Sequence, residues 1–147
     1  MRRIVGLAII GVILCITVAR SQPLNSQAMC ATQAKKAFEE WLADNKGSLS
    51  GNMLSSDYSS RYNTKLGKCL MLIEATRSFG KEISNLKLLT DAFERRVYAY
   101  YLWTSKEGKK YWGVGPEDCE LSLSLRQTKH CTSEEEFKAF VADYMEE

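Results

Sequence analysis

The chain reads as an α+β protein: an antiparallel β-meander sheet of four to five strands, flanked by an N-terminal and a C-terminal helix and held by two disulfides. Three observations predict it. Val97 to Thr104 (VYAYYLWT) is the densest β-branched and aromatic run beyond the apolar N-terminal segment, and such residues pack well on a pleated surface. Apolar residues recur at helical spacing near both ends, around Cys30–Leu42 and Phe137–Tyr144, the mark of amphipathic helices. Four cysteines, Cys30, Cys69, Cys119 and Cys131, remain once the first segment is set aside, an even set that reads as two disulfides in an oxidising compartment.

Met1 to Ala19 reads as a signal peptide. Arg2 and Arg3 supply the positive start, and Ile4 to Ala19 (IVGLAIIGVILCITVA) carries no charge. As a helix this run reaches about 24 Å, short of the ~30 Å hydrocarbon core of a bilayer. Thr17 and Ala19 place small residues third and first before a cut, as a signal peptidase requires. The alternative is an uncleaved anchor that leaves the protein membrane-bound and facing the periplasm. Cys15 is preceded by Leu14 rather than a small residue, which disfavours lipidation. The expected organisation is therefore a signal at 1–19, a flexible lead at 20–26 and one α+β domain at 27–147.

Ser26 is a plausible N-cap for a helix from Gln27 to Asn45. Its stripe is Cys30, Ala34, Ala37, Phe38, Trp41 and Leu42, with Lys35–Glu39 and Lys36–Glu40 pairs outside. Gly47 suits a left-handed helix end. Lys46 to Ser60 (KGSLSGNMLSSDYSS) is rich in Ser, Gly and Asn and reads as a loop. Lys68 to Ala75 (KCLMLIEA) reads as a buried strand and Arg77 to Asn85 as a connection. Leu88, Asp91, Ala92 and Arg95 would fit a helix over Leu86 to Arg95, but the flow into Val97 favours a strand ending near Arg95. In the central run, Val97, Ala99, Tyr101 and Trp103 share one face, and Tyr98, Tyr100 and Leu102 the other. Ser105 to Lys109 is a hairpin signal with Gly108 taking positive φ, followed by a return strand at Lys110 to Val114. Gly115-Pro116 then turns the chain. Cys119 to Leu125 (CELSLSL) alternates strictly, with Leu121, Leu123 and Leu125 expected inside. Ser133 with Glu136 matches a capping box ahead of a helix whose stripe is Phe137, Phe140, Val141 and Tyr144.

The four cysteines allow three pairings. Cys30–Cys69 with Cys119–Cys131 is favoured, because sequence-near partners need the least chain organisation. In the chain-entropy account the two would contribute about 4 and 3 kcal/mol.

The sites suggested by composition are few. Twenty basic residues stand against eighteen acidic ones, and without Arg2 and Arg3 the balance is neutral. Nucleic acid is therefore not an expected partner. No cysteine pair has CxxC spacing, and the one histidine, His130, adjoins Cys131, so no metal site and no cofactor are expected. No nucleophile motif or phosphate-binding loop is present, and no catalytic residue is assigned. The carboxylates Glu117, Asp118 and Glu120 are the residues on which a hydrolase reading would rest. Tyr101, Trp103, Tyr111 and Trp112 cluster around the hairpin near Arg95 and Arg96, and aromatic rings beside basic groups can stack on a ligand. The leading expectation is a non-enzymatic binding module of the cell envelope, taking a partner protein or a glycan. A membrane-anchored structural protein and a carboxylate-based envelope hydrolase are the alternatives.

The combination of C-x3-A-x3-F (Cys30, Ala34, Phe38), YN-x5-C (Tyr62-Asn63 to Cys69), DAFE (Asp91 to Glu94), YLW (Tyr101 to Trp103) and a terminal C-x-SEEEF resembles a family of small, uncharacterised bacterial exported (periplasmic) proteins containing cysteines. The resemblance spans nearly all of the chain beyond the signal. It implies export and disulfides and carries no activity.

Overall fold

The computed structural model describes residues 22–48, 51–107, 109, 113–124 and 127–146. The segment 1–19 expected to be a signal, Gly108, Lys110, Tyr111, Trp112 and Leu125 lie outside the described residues. In chain order the elements are α1 (Gln22–Ser48), β1 (Asn52–Asn63), β2 (Lys68–Phe79), β3 (Glu82–Asp91), β4 (Val97–Thr104), β5 (Asp118–Ser124), β6 (Gln127–His130) and α2 (Glu134–Met145). The strands form one antiparallel sheet in the order β1-β2-β3-β4-β5-β6. This is the α+β meander flanked by two helices that the sequence predicts, with six strands instead of four or five.

The helices cover opposite faces, because alternate residues of the central strands point opposite ways. Cys69, Met71 and Ile73 of β2 pack with Cys30, Ala34 and Ala37 of α1, and Phe38, Trp41 and Tyr58 close that cluster. Leu70 of β2 turns the other way, into a cluster with Leu89, Tyr101, Trp103, Leu121 and Phe137 of α2. α2 starts where Glu134 meets Lys87 at 3.0 Å and ends where the Tyr144 carbonyl accepts from Asn63 Nδ2 at 3.0 Å. Both expected disulfides are present, Cys30–Cys69 with a Cα–Cα distance of 5.2 Å and Cys119–Cys131 with 5.1 Å. The first ties α1 to β2, and the second ties the approach to α2 to β5. Two disulfides fit a non-reducing, exported environment.

Ser133 caps α2: its Oγ accepts from the Glu136 N–H at 3.2 Å, while the Glu136 carboxylate accepts from the Thr132 N–H at 3.0 Å. The reciprocal half of the box thus closes one residue earlier than expected. The DAFE segment is a turn organised by Asp91. Its buried Oδ1 accepts from the N–H groups of Phe93 and Glu94, at 2.8 and 2.9 Å. The turn is held to α1 by Gln33 Nε2 donating to the Ala92 carbonyl at 3.1 Å and by Arg95 reaching Glu40.

Several local expectations are corrected. α1 begins at Gln22, so Ser26 lies within the helix and not at its cap. The Ser-rich segment expected to be a loop is mostly β1. It pairs along its length with the apolar β2 and lays Tyr58 against Phe38, ring centroids 4.6 Å apart. Sheet pairing and two tyrosines outweigh the serine content. The connection expected at Arg77 to Asn85 is a tight β2–β3 hairpin around Gly80 (φ 65°), and β3 stops at Asp91 because the DAFE turn begins there. Gly113 and Val114 are not in a strand; β4 pairs directly with β5, Tyr101 opposite Cys119. Leu121 is buried as expected, but Leu123 is exposed, at the register shift between Ser122 and Ser124 where the β5–β6 ladder is interrupted.

Candidate functional site

The two faces of the sheet are unequally covered. α1 covers the α1-side face only over β1 and β2, and its last turns reach Arg77 through Asn45. The register places Arg77 beside Ser84, Ser84 beside Thr104, Leu86 beside Leu102, and Tyr100 beside Glu120. These residues share the α1-side face from the end of β2 across β3 to β5, where no helix among the described residues packs. All of them but Glu120, together with Phe79, Glu82 and Glu117, line a cleft of about 320 Å³, at the lower end of the roughly 300–1,000 Å³ usual for ligand pockets. Leu86, Tyr100 and Leu102, all half-buried, form its floor. Phe79 forms part of the wall. Its ring lies so close to Gly51 (φ 140°) that a Cβ there would come within 2.5 Å of it, which only glycine allows.

Arg77 is the unusual member of this set. It is 5% exposed, and its Nε–H has no hydrogen-bond partner among the described residues. One Nη donates to Asn45 Oδ1 at 3.3 Å, and no carboxylate among the described residues pairs with it. Buried guanidinium groups are ordinarily paired, because desolvating the charge costs several kcal/mol. The opposite side of the cleft is acidic. Glu117 donates its N–H to the Leu102 carbonyl at 2.8 Å and accepts from Thr104 Oγ1 at 2.6 Å, with Asp118 next in the chain. Burial, and then the charges of Asp118 and Glu117, push the Tyr100 hydroxyl up, while Arg77 pulls it down. Tyr100 therefore remains a protonated donor at neutral pH, seated between the two charges.

No family model, curated protein or solved structure matches the chain.

The residues singled out from the sequence lie elsewhere. Tyr101 and Trp103 are buried on the α2 side. Tyr101 packs 5.5 Å from Phe137, and Trp103 Nε1 donates to the Val114 carbonyl at 3.1 Å. Tyr111 and Trp112 lie outside the described residues. The hairpin run therefore supplies Tyr100 and Leu102 to the cleft, while their neighbours serve the core. Arg77 escaped sequence reasoning because a lone arginine at the start of a polar stretch carries no signal. The strict alternation of β2, carried two residues past Ala75, was the one clue to its face.

Two further polar groupings lie outside this cleft. On the α2 side, Lys87 sits between Glu74 at 2.6 Å and Glu134 at 3.0 Å. Burial pushes its ammonium pKa down, but the two carboxylates outweigh it and the net shift is upward. That ion triad lines a second cleft of about 310 Å³ beside Ser55 and Ser56 of β1. At the β5–β6 edge, Asp118, Glu120 and His130 bring ligand atoms within 4.8 Å of one another, all of them exposed. His130 stands directly opposite Glu120, a proximity that needs the sheet register. Among the described residues, these three could hold a metal ion. Among the described residues no helix is long and apolar enough to cross a membrane.

Proposed function

We propose that the protein is an exported, non-enzymatic binding module of the bacterial cell envelope, with its ligand seated in the cleft on the open half of the α1-side face. The observation that carries this reading is Arg77, a buried guanidinium with an unpartnered Nε–H beside a half-buried apolar floor. Groups left unpaired in a fold are costly unless something else completes them, and a ligand anion would do so. The amphipathic floor and convergent polar rim are the usual make-up of a small-molecule site. The two disulfides and the signal-like Met1 to Ala19 support export with cleavage near Ala19. The resemblance to small exported proteins agrees with it.

A ligand-observed NMR screen of small acids, sugars and peptides tests the reading, run on the wild type and on Leu102→Arg. Leu102 is half-buried on the cleft floor, so the variant keeps the core and fills the site. Compounds that bind the wild type and not the variant support the cleft. A set of binders indifferent to the substitution sinks it. The intact mass of the exported protein reports the N-terminus in the same preparation: loss of the first 19 to 21 residues is expected, and retention of the full chain argues for the anchor.

A further inference from the structure

We propose that Asp118, Glu120 and His130 form a binding site for a divalent cation of the zinc class at the β5–β6 edge of the sheet, with its remaining coordination positions open to solvent.

The sheet register builds the site. Cys119 and Leu121 of β5 are buried with Phe137 of α2, so alternation turns Asp118 and Glu120 to the opposite, α1-side face. His130 of β6 stands directly across from Glu120 and shares that face. One ligand atom from each of the three lies within 4.8 Å of the others, and all three residues are exposed. Ligand atoms about 2.0–2.2 Å from one zinc ion stand roughly 3.4 Å apart in a tetrahedral set. The three therefore close by no more than about 1.4 Å, which exposed side chains supply by rotation within nanoseconds. The backbone beneath them is already fixed. Cys119 lies between the two carboxylates and Cys131 follows His130. The disulfide between these cysteines clamps β5 to β6, and the Cys131 N–H donates to the Cys119 carbonyl at 3.1 Å. A covalently held frame lowers the ordering cost that a cation must offset.

The donor set selects the ion. Among the described residues none of the three side chains makes a hydrogen bond or an ion pair, which leaves their lone pairs to water or a cation. Two carboxylates balance the charge of a divalent ion. The imidazole nitrogen favours zinc and its neighbours over calcium and magnesium, which prefer oxygen alone. The acidic start of α2 differs on both counts. Glu134 and Glu136 have no imidazole beside them in the group and are already paired with Lys87, Lys138 and Lys129. Three protein ligands leave a position for water, the arrangement of an open zinc site. None of the three lines the cleft, so the cation site is independent of the ligand proposed there. No sequence spacing marks it, because His130 and Glu120 meet only across the strands.

The test titrates zinc chloride into the oxidised, exported protein after chelator treatment, read by calorimetry and by backbone and imidazole NMR shifts. One equivalent is expected to bind with micromolar affinity, to shift Asp118 to Glu120 and His130 most, and to raise Tm. Cys30, Cys69, Cys119 and Cys131 are held in disulfides, so none of them competes as a thiolate. His130→Ala and Glu120→Gln change exposed side chains and keep the fold. Each should weaken zinc by more than about ten-fold, the cost of losing even an outer partner of a metal ligand. Calcium and magnesium should bind at least about ten-fold more weakly than zinc. Zinc binding unchanged in His130→Ala, shifts centred on Glu134–Glu136, or calcium matching zinc would overturn the site and leave only an acidic surface. Absence of saturable binding below millimolar zinc overturns it outright.

Discussion

Arg77→Met is expected to make the ligand-free protein more stable, and the size follows from the surroundings of the side chain. The guanidinium is 5% exposed with an orphan Nε–H, and a buried donor without a partner costs about 1–3 kcal/mol. Methionine keeps an unbranched stem of similar reach, so the apolar contacts along the arginine stem are largely retained. The loss is the bond to Asn45 at 3.3 Å, long enough to lie at the weak end, about 1 kcal/mol. Asn45 keeps its own bond to the Trp41 carbonyl at 2.8 Å and is half-exposed, so water takes the freed oxygen. With relief of the buried charge added, the balance is a gain of about 1 kcal/mol, or about 4 °C in Tm for a chain of this size. The assay is guanidinium chloride unfolding with the disulfides intact, read by tryptophan fluorescence. The midpoint should rise with the slope unchanged. Arg77→Lys, which keeps the charge, should show no gain. A loss of 1 kcal/mol or more for Arg77→Met would refute the reasoning, because Arg77 would then be satisfied by the fold itself and would need no anion. A gain in stability is the trade expected of a residue kept for function.

Three further outcomes follow from the fold. Replacing Cys119 and Cys131 together by serine should cost about 3 kcal/mol, and replacing Cys30 and Cys69 about 4 kcal/mol, since the second pair closes 39 residues against 12; equal losses in denaturant unfolding would count against loop closure as the source. Asp91→Ala removes the acceptor of two backbone N–H groups and the buried anion near Lys68 and should cost about 2 kcal/mol, with Asp91→Asn losing less because it keeps an acceptor; thermal unfolding of the two variants checks the order. Hydrogen bonding to Lys129, and then to the Thr132 N–H, holds the Glu136 carboxylate below its usual range. A carboxylate lower in the folded than in the unfolded chain stabilises above the ordinary carboxylate range, and the effect is lost as pH falls through the folded value. Glu136→Gln should therefore flatten the acid limb of a Tm-versus-pH profile, and an unchanged limb would show that other carboxylates set it.

The sequence by itself determined the features whose signals are local. The stripe of Cys30, Ala34 and Ala37, the Ser133 cap and the Phe137–Val141 face each fit within a few turns of helix, and all three stand as read. The strands at Cys69–Ala75 and Val97–Thr104 announce themselves by apolar and aromatic content. The cysteine pairing follows from sequence proximity. Tertiary structure decided what depends on partners. β1 is a strand because β2 offers it a hydrogen-bonding edge and α1 offers Tyr58 a surface, neither visible in its serines. Leu123 alternates like Leu121 in sequence yet is exposed, because the β5–β6 register shifts between Ser122 and Ser124. The same limit governs the site. Tyr100 and Tyr101 are adjacent and equally aromatic, but one faces the cleft and the other the core, according to which half of each face a helix covers. Arg77 acquired its meaning only there. A guanidinium in a polar stretch is unremarkable in sequence, and it becomes a buried charge without a partner once α1 closes over β2 and leaves β3 to β5 open.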